Sequence, residues 1–353
     1  MSGPLAGQVV RELGTSLDLR TAQTRYRGHA RELAADAARQ GDELVIIFGG
    51  DGTVNEVVNG LMAASGGPAE GAGASSGDAA GARARPAIAI VPGGAGNVLA
   101  RTLSIPVDPA VATTRIVRAI RSRSRPRIIG LSLAESPGVA DERYFTFTAG
   151  LGLDAEVVAD VERARASGHQ SSPRLYMRTA LRRYYTATDR SKPALTLHIP
   201  GHFPTSGLFM GVVTNSSPWT YVGNLPLLTV PHEGPAGILN SGIDVFGLRR
   251  LRTLTTLGAL HQMMHSNSTP PGGPDVLTVA ELTALTFSAD RPIAFHIDGE
   301  YLGEVETVAF TFIPDALRVI ALAIALRLRP VVIETTSKSA RGLPRPLALD
   351  LPY

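Results

Sequence analysis

An α/β domain followed by a mostly antiparallel β domain is what this 353-residue sequence predicts, and three observations carry that reading. Two apolar, β-branched runs, Leu44–Phe48 and Pro86–Val91, each enter a glycine-rich loop and then a helical pattern, the order expected of a parallel sheet. Downstream of Arg127, short apolar runs alternate with turn residues, the pattern of antiparallel strands. With 44% hydrophobic residues, the chain has material for a large core.

The first element is an Ala-rich amphipathic helix from about Gly28 to Arg39, leading into the strand Leu44–Phe48. After Gly49-Gly50-Asp51-Gly52-Thr53, apolar residues at 54, 57, 58 and 61 mark one face of a second helix. The loop therefore sits at a helix N-terminus, where free N–H groups and the dipole favour anions such as phosphate. Residues 65–86 are dominated by Gly, Ala and Ser and read as a flexible insertion. The strand Pro86–Val91 closes in the second loop, Pro92-Gly93-Gly94-Ala95-Gly96-Asn97, followed by helical Val98–Arg101. The basic run Arg121–Arg127 ends the α/β region. Strand-like runs then fall at 128–133, 144–148, 194–199, 208–214, 276–280, 285–287, 293–297 and 305–313, interrupted by a helix at about 173–185. The predicted domains are 1–127, completed by about 314–330, and 128–313, with a tail at 331–353.

Composition excludes several classes. A net charge of +3 is too mild to indicate nucleic acid, and the absence of cysteine rules out disulfides, thiolate nucleophiles and Cys-based metal sites. The N-terminal residues lack the n- and h-regions of a secretory signal, which places the chain in the cytoplasm as an expectation. The longest apolar run, Val319–Leu326, is far shorter than the roughly 20 residues a spanning helix needs. There is no G-x-x-x-x-G-K-[ST] motif, and His261 and His265 flank Gln262 where a zinc-protease motif needs glutamate.

Read together, Gly49 to Leu61, Pro92 to Arg101, Gly150-Leu151-Gly152-Leu153-Asp154 and Asp298-Gly299-Glu300 resemble the bacterial diacylglycerol kinase family, which includes sphingosine and ceramide kinases. The resemblance implies a two-domain lipid kinase that uses ATP and Mg²⁺. It further implies ATP contacts from Thr24, from Gly49, Gly50, Asp51, Gly52, Thr53, Val54, Asn55 and Glu56, and from Gly93, Gly94, Ala95, Gly96 and Asn97. Asp298 would be the general base, with Asp51 second and Glu300 beside it; Asp51 would also place the catalytic Mg²⁺. Asp154 would meet the acceptor lipid and Asp244 would mark a structural metal position. The partners implied are a lipid substrate and an anionic membrane surface, met peripherally at its inner face, with a homodimer left open. An NAD-kinase-like or other small-molecule kinase, and a catalytically impaired lipid- or nucleotide-binding homologue, are the alternatives.

The physical case for two carboxylates stands beside the resemblance. A lipid hydroxyl is a weak nucleophile that benefits from a proton acceptor, and a second carboxylate can hold the cation that neutralises transferring phosphates. Asp298-Gly299 also reads simply as a hairpin turn, and Asp154 as an acid at a helix start. Three features depart from the family: no opening strand with an Asn-Pro-x-x-Gly loop, Ala95 in place of threonine, and Ser241 before Gly242 where some members carry a metal-binding aspartate. Residues 1 to about 8 are expected to be irregular.

Overall fold

Parallel pairing of two strands fixes where the loops emerge. In the computed structural model β1 (Leu44–Gly49) and β2 (Ala87–Pro92) run side by side in register from Leu44↔Ala87 to Gly49↔Pro92. Both strands therefore end at the same edge, the end where an α/β sheet presents its ligand loops. The structure describes residues 3–64, 85–167, 173–186, 188, 190–231, 239–265 and 269–321, all within the compact unit Met1–Leu322. The expected insertion, apart from residues 85 and 86, and the expected tail lie outside the described residues.

Helices flank this pair. α2 (His29–Gln40) ends at Gly41, whose left-handed backbone (φ 78°) donates to the carbonyls of Ala37 and Ala38. α3 (Asp51–Ala64) packs on it so closely that a Cβ at Gly60 would lie 2.1 Å from the Arg31 carbonyl oxygen. After the short α4 (Val98–Thr102), α5 (Pro109–Arg121) starts at Asp108, whose carboxylate accepts from the amides of Ala110 and Val111 at 2.9 and 3.1 Å. Asp108-Pro109 is a helix-start signal that the motif reading passed over.

The expectation of an irregular start is corrected: Gly3–Gly14 form a helix, α1. Its Val9 and Leu13 are buried with Ala89 and Val91 of β2 and Ile116 and Val117 of α5. Burial of this apolar face outweighs the weak helix preference of Gly3 and Gly7 at its start.

The remaining strands are β3 (Arg127–Ser136), β4 (Ala140–Phe145), β5 (Thr148–Gly152), β6 (Leu195–His198), β7 (Thr205–Leu208), β8 (Met210–Thr214), β9 (Thr220–Val222), β10 (Leu225–Leu227), β11 (Ile243–Leu248), β12 (Val276–Leu282), β13 (Ala284–Ile297) and β14 (Glu300–Val319). All but the β9–β10 ribbon join one twelve-stranded mixed sheet, whose main path runs β1-β2-β14-β13-β5-β8-β11-β12. Among these paths only β1–β2 and the Val319↔Ile88 end of β14 are parallel; the rest are antiparallel. The parallel and antiparallel strands thus share one hydrogen-bonded sheet, bridged by β14.

Helices α6 (Leu153–Ala166), α7 (Pro173–Thr186) and α8 (Thr253–His265) accompany the antiparallel part. Several expected strands have different limits. Runs 285–287 and 293–297 are one strand, β13, and run 305–313 is the middle of β14. The expected strand 144–148 is broken, because Thr146 and Phe147 leave the ladder to serve the site described next. Gly150 and Gly152 lie in β5, which runs directly into α6.

Candidate active site

The two glycine loops touch backbone to backbone. The Gly93 amide donates to the Gly49 carbonyl at 2.8 Å, and a Cβ on Gly94 would lie 2.6 Å from the Gly50 Cα. Any side chain at Gly94 would force the loops apart. α3 begins directly after this contact, so its first amides have no partner within the helix. Gly93, Gly94 and Ala95 are exposed beside them.

Gly52 carries a different message. A Cβ there would meet nothing within 4 Å, its φ is not among the positive ones, and glycine inside a helix weakens it. Nothing in the protein's own packing requires glycine at 52.

Asp51 joins the loops. Its Oδ1 accepts from the Val98 amide at 2.7 Å, so the carboxylate caps the start of α4. Burial pushes its pKa up from 3.8 to about 6, helped by the negative charge of Asp298 and opposed by the amides of Val98, Asn97 and Leu99. Asn97 closes its own loop, accepting from the Gly94 amide at 3.0 Å and donating to the Gly94 carbonyl at 2.8 Å.

Asp298 sits at the β13–β14 hairpin with left-handed backbone (φ 47°), followed by Gly299 (φ 76°), the pair demanded by a two-residue turn. The turn reading and the site reading therefore describe the same residue. Its side chain is buried and accepts five hydrogen bonds. Oδ2 receives the Asn55 amide at 2.8 Å and both the backbone amide and hydroxyl of Thr146 at 2.9 Å; Oδ1 receives the amides of Phe147 and Thr148 at 3.1 and 3.0 Å. Burial raises its pKa, and these donors oppose the rise.

The Asn-Glu-x-x-Asn stretch of α3 acts as a set of struts. Asn55 reaches Asp298 and the Tyr144 carbonyl. Asn59 exchanges hydrogen bonds with the Tyr144 backbone, donating to its carbonyl and accepting from its amide, both at 2.9 Å. Glu56, expected at ATP, accepts from the amides of Gly28 and Ala30 at 2.9 and 3.1 Å and so secures the start of α2. Glu300 is held between two guanidinium groups, Arg27 and Arg143, and Arg143 also donates to Asn55 Oδ1 at 3.0 Å. Arg27, Asn59, Arg143 and Thr146 were not read from the sequence as site residues; only Asn59 lay inside a quoted motif.

Thr24 is exposed on the segment before α2, Thr53 sits in the first turn of α3 against Gly49, and Val54 is a core residue. Asp154, at the start of α6, pairs with His296 at 2.7 Å, two positions before Asp298 on β13. A Cβ on Gly150 would lie 2.1 Å from this carboxylate, so glycine leaves room for the pair. Asp244 is buried and accepts from the Glu281 amide at 3.0 Å. Among the described residues no group of three or more His, Asp or Glu side chains is arranged around a cation position. His261 and His265 are exposed and stack on each other at 4.3 Å.

A cavity of about 640 Å³ opens beside α6 and the β13–β14 pair. Its walls mix apolar Leu153, Phe209 and Ile293 with Arg163, Arg183 and Glu304. No helix among the described residues is long and apolar enough to cross a membrane.

Residues 5–125 match the family model of the diacylglycerol kinase catalytic domain. The chain is 33% identical over 141 residues to the diacylglycerol kinase of Bacillus subtilis (strain 168), and 31% identical over 148 residues to a probable YegS-like lipid kinase of Chromohalobacter salexigens. These alignments span 40% and 42% of this chain, but only 37% and 38% of those proteins. A putative diacylglycerol kinase from Bacillus anthracis str. Sterne superposes with a TM-score of 0.64 over 90% of this chain and 92% of its own, at 18% identity, a likeness of fold. The family-level match implied by the glycine loops is thus found, and it lies on the region that carries them.

Proposed function

We propose that this chain is an ATP-dependent lipid kinase that transfers the γ-phosphoryl group to the hydroxyl of diacylglycerol or a related lipid. Residues 1–127, completed by about 314–330, are assigned to the nucleotide and residues 128–313 to the lipid. The observation that carries the reading is Gly52, a helical glycine that packing does not require, at the mouth of two touching glycine loops. The family match over residues 5–125 supports it.

In this reading the free amides at the start of α3 and the exposed 93–95 stretch bind the phosphates, with Gly96 and Asn97 completing the loop, and Thr24 flanks the nucleotide. The oxygen donors fit a hard cation only in part: Asp51 is the residue that would hold Mg²⁺, with the remaining ligands from phosphate and water. Bound there, Mg²⁺ would supply charge neutralisation of the transferring phosphates. Asp298 is assigned the proton of the acceptor hydroxyl. Three backbone amides keep its carboxylate aligned, while the Asn55 amide and Thr146 hydroxyl on Oδ2 are the side-chain donors that an incoming hydroxyl can replace. Asp154, fixed by His296, is assigned to orient the acceptor head group, and Asp244 is left with a structural role in β11. The protein is proposed to work in the cytoplasm, on the inner membrane face.

The charged side chains in the cavity wall favour one second reading, a kinase for a polar small-molecule acceptor. Both readings meet the same experiment: transfer of labelled γ-phosphate to a panel of extracted lipids and to soluble hydroxyl compounds. Labelling of a glycerolipid supports the proposal. Labelling of a soluble acceptor alone selects the second reading, and labelling of neither sinks both.

A further inference from the structure

From the exposed faces of α7 and α8 we infer a docking surface for an anionic bilayer. Met177, Leu181 and Tyr185 of α7 are four residues apart, so they form one stripe, and they are 39%, 48% and 52% exposed. The neighbouring Tyr184 is buried, and its hydroxyl lies 3.2 Å from that of Thr256, which sets the end of α7 beside the first turns of α8. There Leu254 and Leu257 are 87% and 52% exposed. Single exposed leucines are ordinary; five large apolar side chains on two adjoining helices are not.

Charge selects the occupant. The chain as a whole nearly balances 34 basic against 31 acidic residues, yet neither α7 nor α8 contains an Asp or Glu. Arg183 turns its charge inward to Glu156 and Asp160 of α6. Arg178 and Arg182 stay exposed, with no ion-pair partner among the described residues. An apolar stripe edged by arginines without acids matches a surface that offers hydrocarbon below and negative charge above. The inference deepens the lipid-kinase reading by naming the surface that delivers its substrate, but its test needs no turnover.

Co-sedimentation of the full chain, without nucleotide, is measured with vesicles of phosphatidylcholine alone and of phosphatidylcholine with phosphatidylglycerol. Binding is expected to the anionic vesicles and to weaken with salt. Arg178→Gln with Arg182→Gln should weaken it roughly fivefold per arginine, the equivalent of about 1 kcal/mol each. Leu181→Ser with Leu254→Ser should weaken it roughly tenfold or more, since each leucine loses its apolar burial in the membrane. All four side chains are exposed, so unchanged melting temperatures are expected. Equal binding to both vesicle types, no binding, or variants that bind like the parent overturn the inference. So does a dimer in solution that the leucine variant dissolves, which would assign the face to a second copy. Vesicle binding that persists in a chain inactive on every lipid supports this surface and defeats only the kinase reading.

Discussion

The Asn55 amide of α3 donates to Asp298 Oδ2 at 2.8 Å, a buried hydrogen bond between residues 243 positions apart in the chain. It ties the helix that begins at the first glycine loop to the hairpin between the two longest strands. Asn55 is buried as well, and its carbonyl oxygen receives Arg143. The position of Asp298 relative to the loops is therefore set by side chains rather than by chain connectivity.

Asp298→Asn is expected to lower phosphoryl transfer about 10²-fold or more, the scale on which a positioned proton acceptor contributes. An amide in place of the carboxylate also turns one NH₂ toward donors, either Asn55 and Thr146 or the amides of Phe147 and Thr148. Single-turnover rates with saturating nucleotide test the chemistry, and far-ultraviolet circular dichroism tests the fold. Wild-type turnover with an unchanged pH profile would show that the proton goes elsewhere.

Asn55→Ala removes one donor from a buried carboxylate and leaves the Arg143 donors and the Tyr144 carbonyl with fewer partners. Such a loss costs about 1–3 kcal/mol, and more where the group left behind is charged. Urea unfolding of the variant measures it. A change within error would mean that water takes the place of the Asn55 amide at no cost.

Much of this arrangement was legible in the sequence, because its local signals are strong. Gly49–Thr53 after a β-branched run, and Asp298-Gly299 between two strand-like runs, specify backbone geometry through glycine and turn chemistry. What the sequence hid was tertiary. Glu56 lies in the same motif as Asp51, but whether it faces a ligand or the start of α2 depends on how two helices pack. Arg27 and Arg143 carry no pattern of their own; they meet only because Glu300 lies between them. The helix at Gly3–Gly14 was hidden because its start is rich in poor helix formers, and burial of Val9 and Leu13 decided its structure.

That helix makes a direct prediction. Leu13→Ala empties a buried site against α5 and β2, and such truncations cost about 2–5 kcal/mol. Thermal unfolding should show a clear loss of stability. An unchanged melting temperature would mean that α1 does not pack on α5 in solution.

Gly52→Ala separates stability from ligand binding. Gly52 is the second residue of α3, where the interior-helix cost of glycine, about 1 kcal/mol relative to alanine, applies only in part, and the added methyl meets no atom beyond its own helix turn, so the fold should gain a few tenths of a kcal/mol. The same methyl intrudes where phosphate is proposed to lie, so Mg-ATP affinity measured by calorimetry should fall. A variant that is more stable and binds nucleotide as tightly as the parent would remove Gly52 from the site.

Asp51 makes the stability of the fold pH-dependent with a determinate sign. Its pKa rises from 3.8 to about 6 on folding, mainly through burial and secondly through Asp298, so the folded state holds the proton more tightly than the unfolded state. Stability is then lost as pH rises through that window, and above it the ionised carboxylate costs on the order of 3 kcal/mol. Asp51→Asn keeps an oxygen to accept from the Val98 amide but carries no charge to bury. Its advantage over the parent should be small below pH 4 and grow steadily to a plateau above pH 7, while phosphoryl transfer collapses for want of the carboxylate. Denaturant midpoints of both proteins across that range give the measurement. A constant difference from acid to neutral pH would show that Asp51 titrates as an ordinary exposed carboxylate and that the loop junction does not bury it.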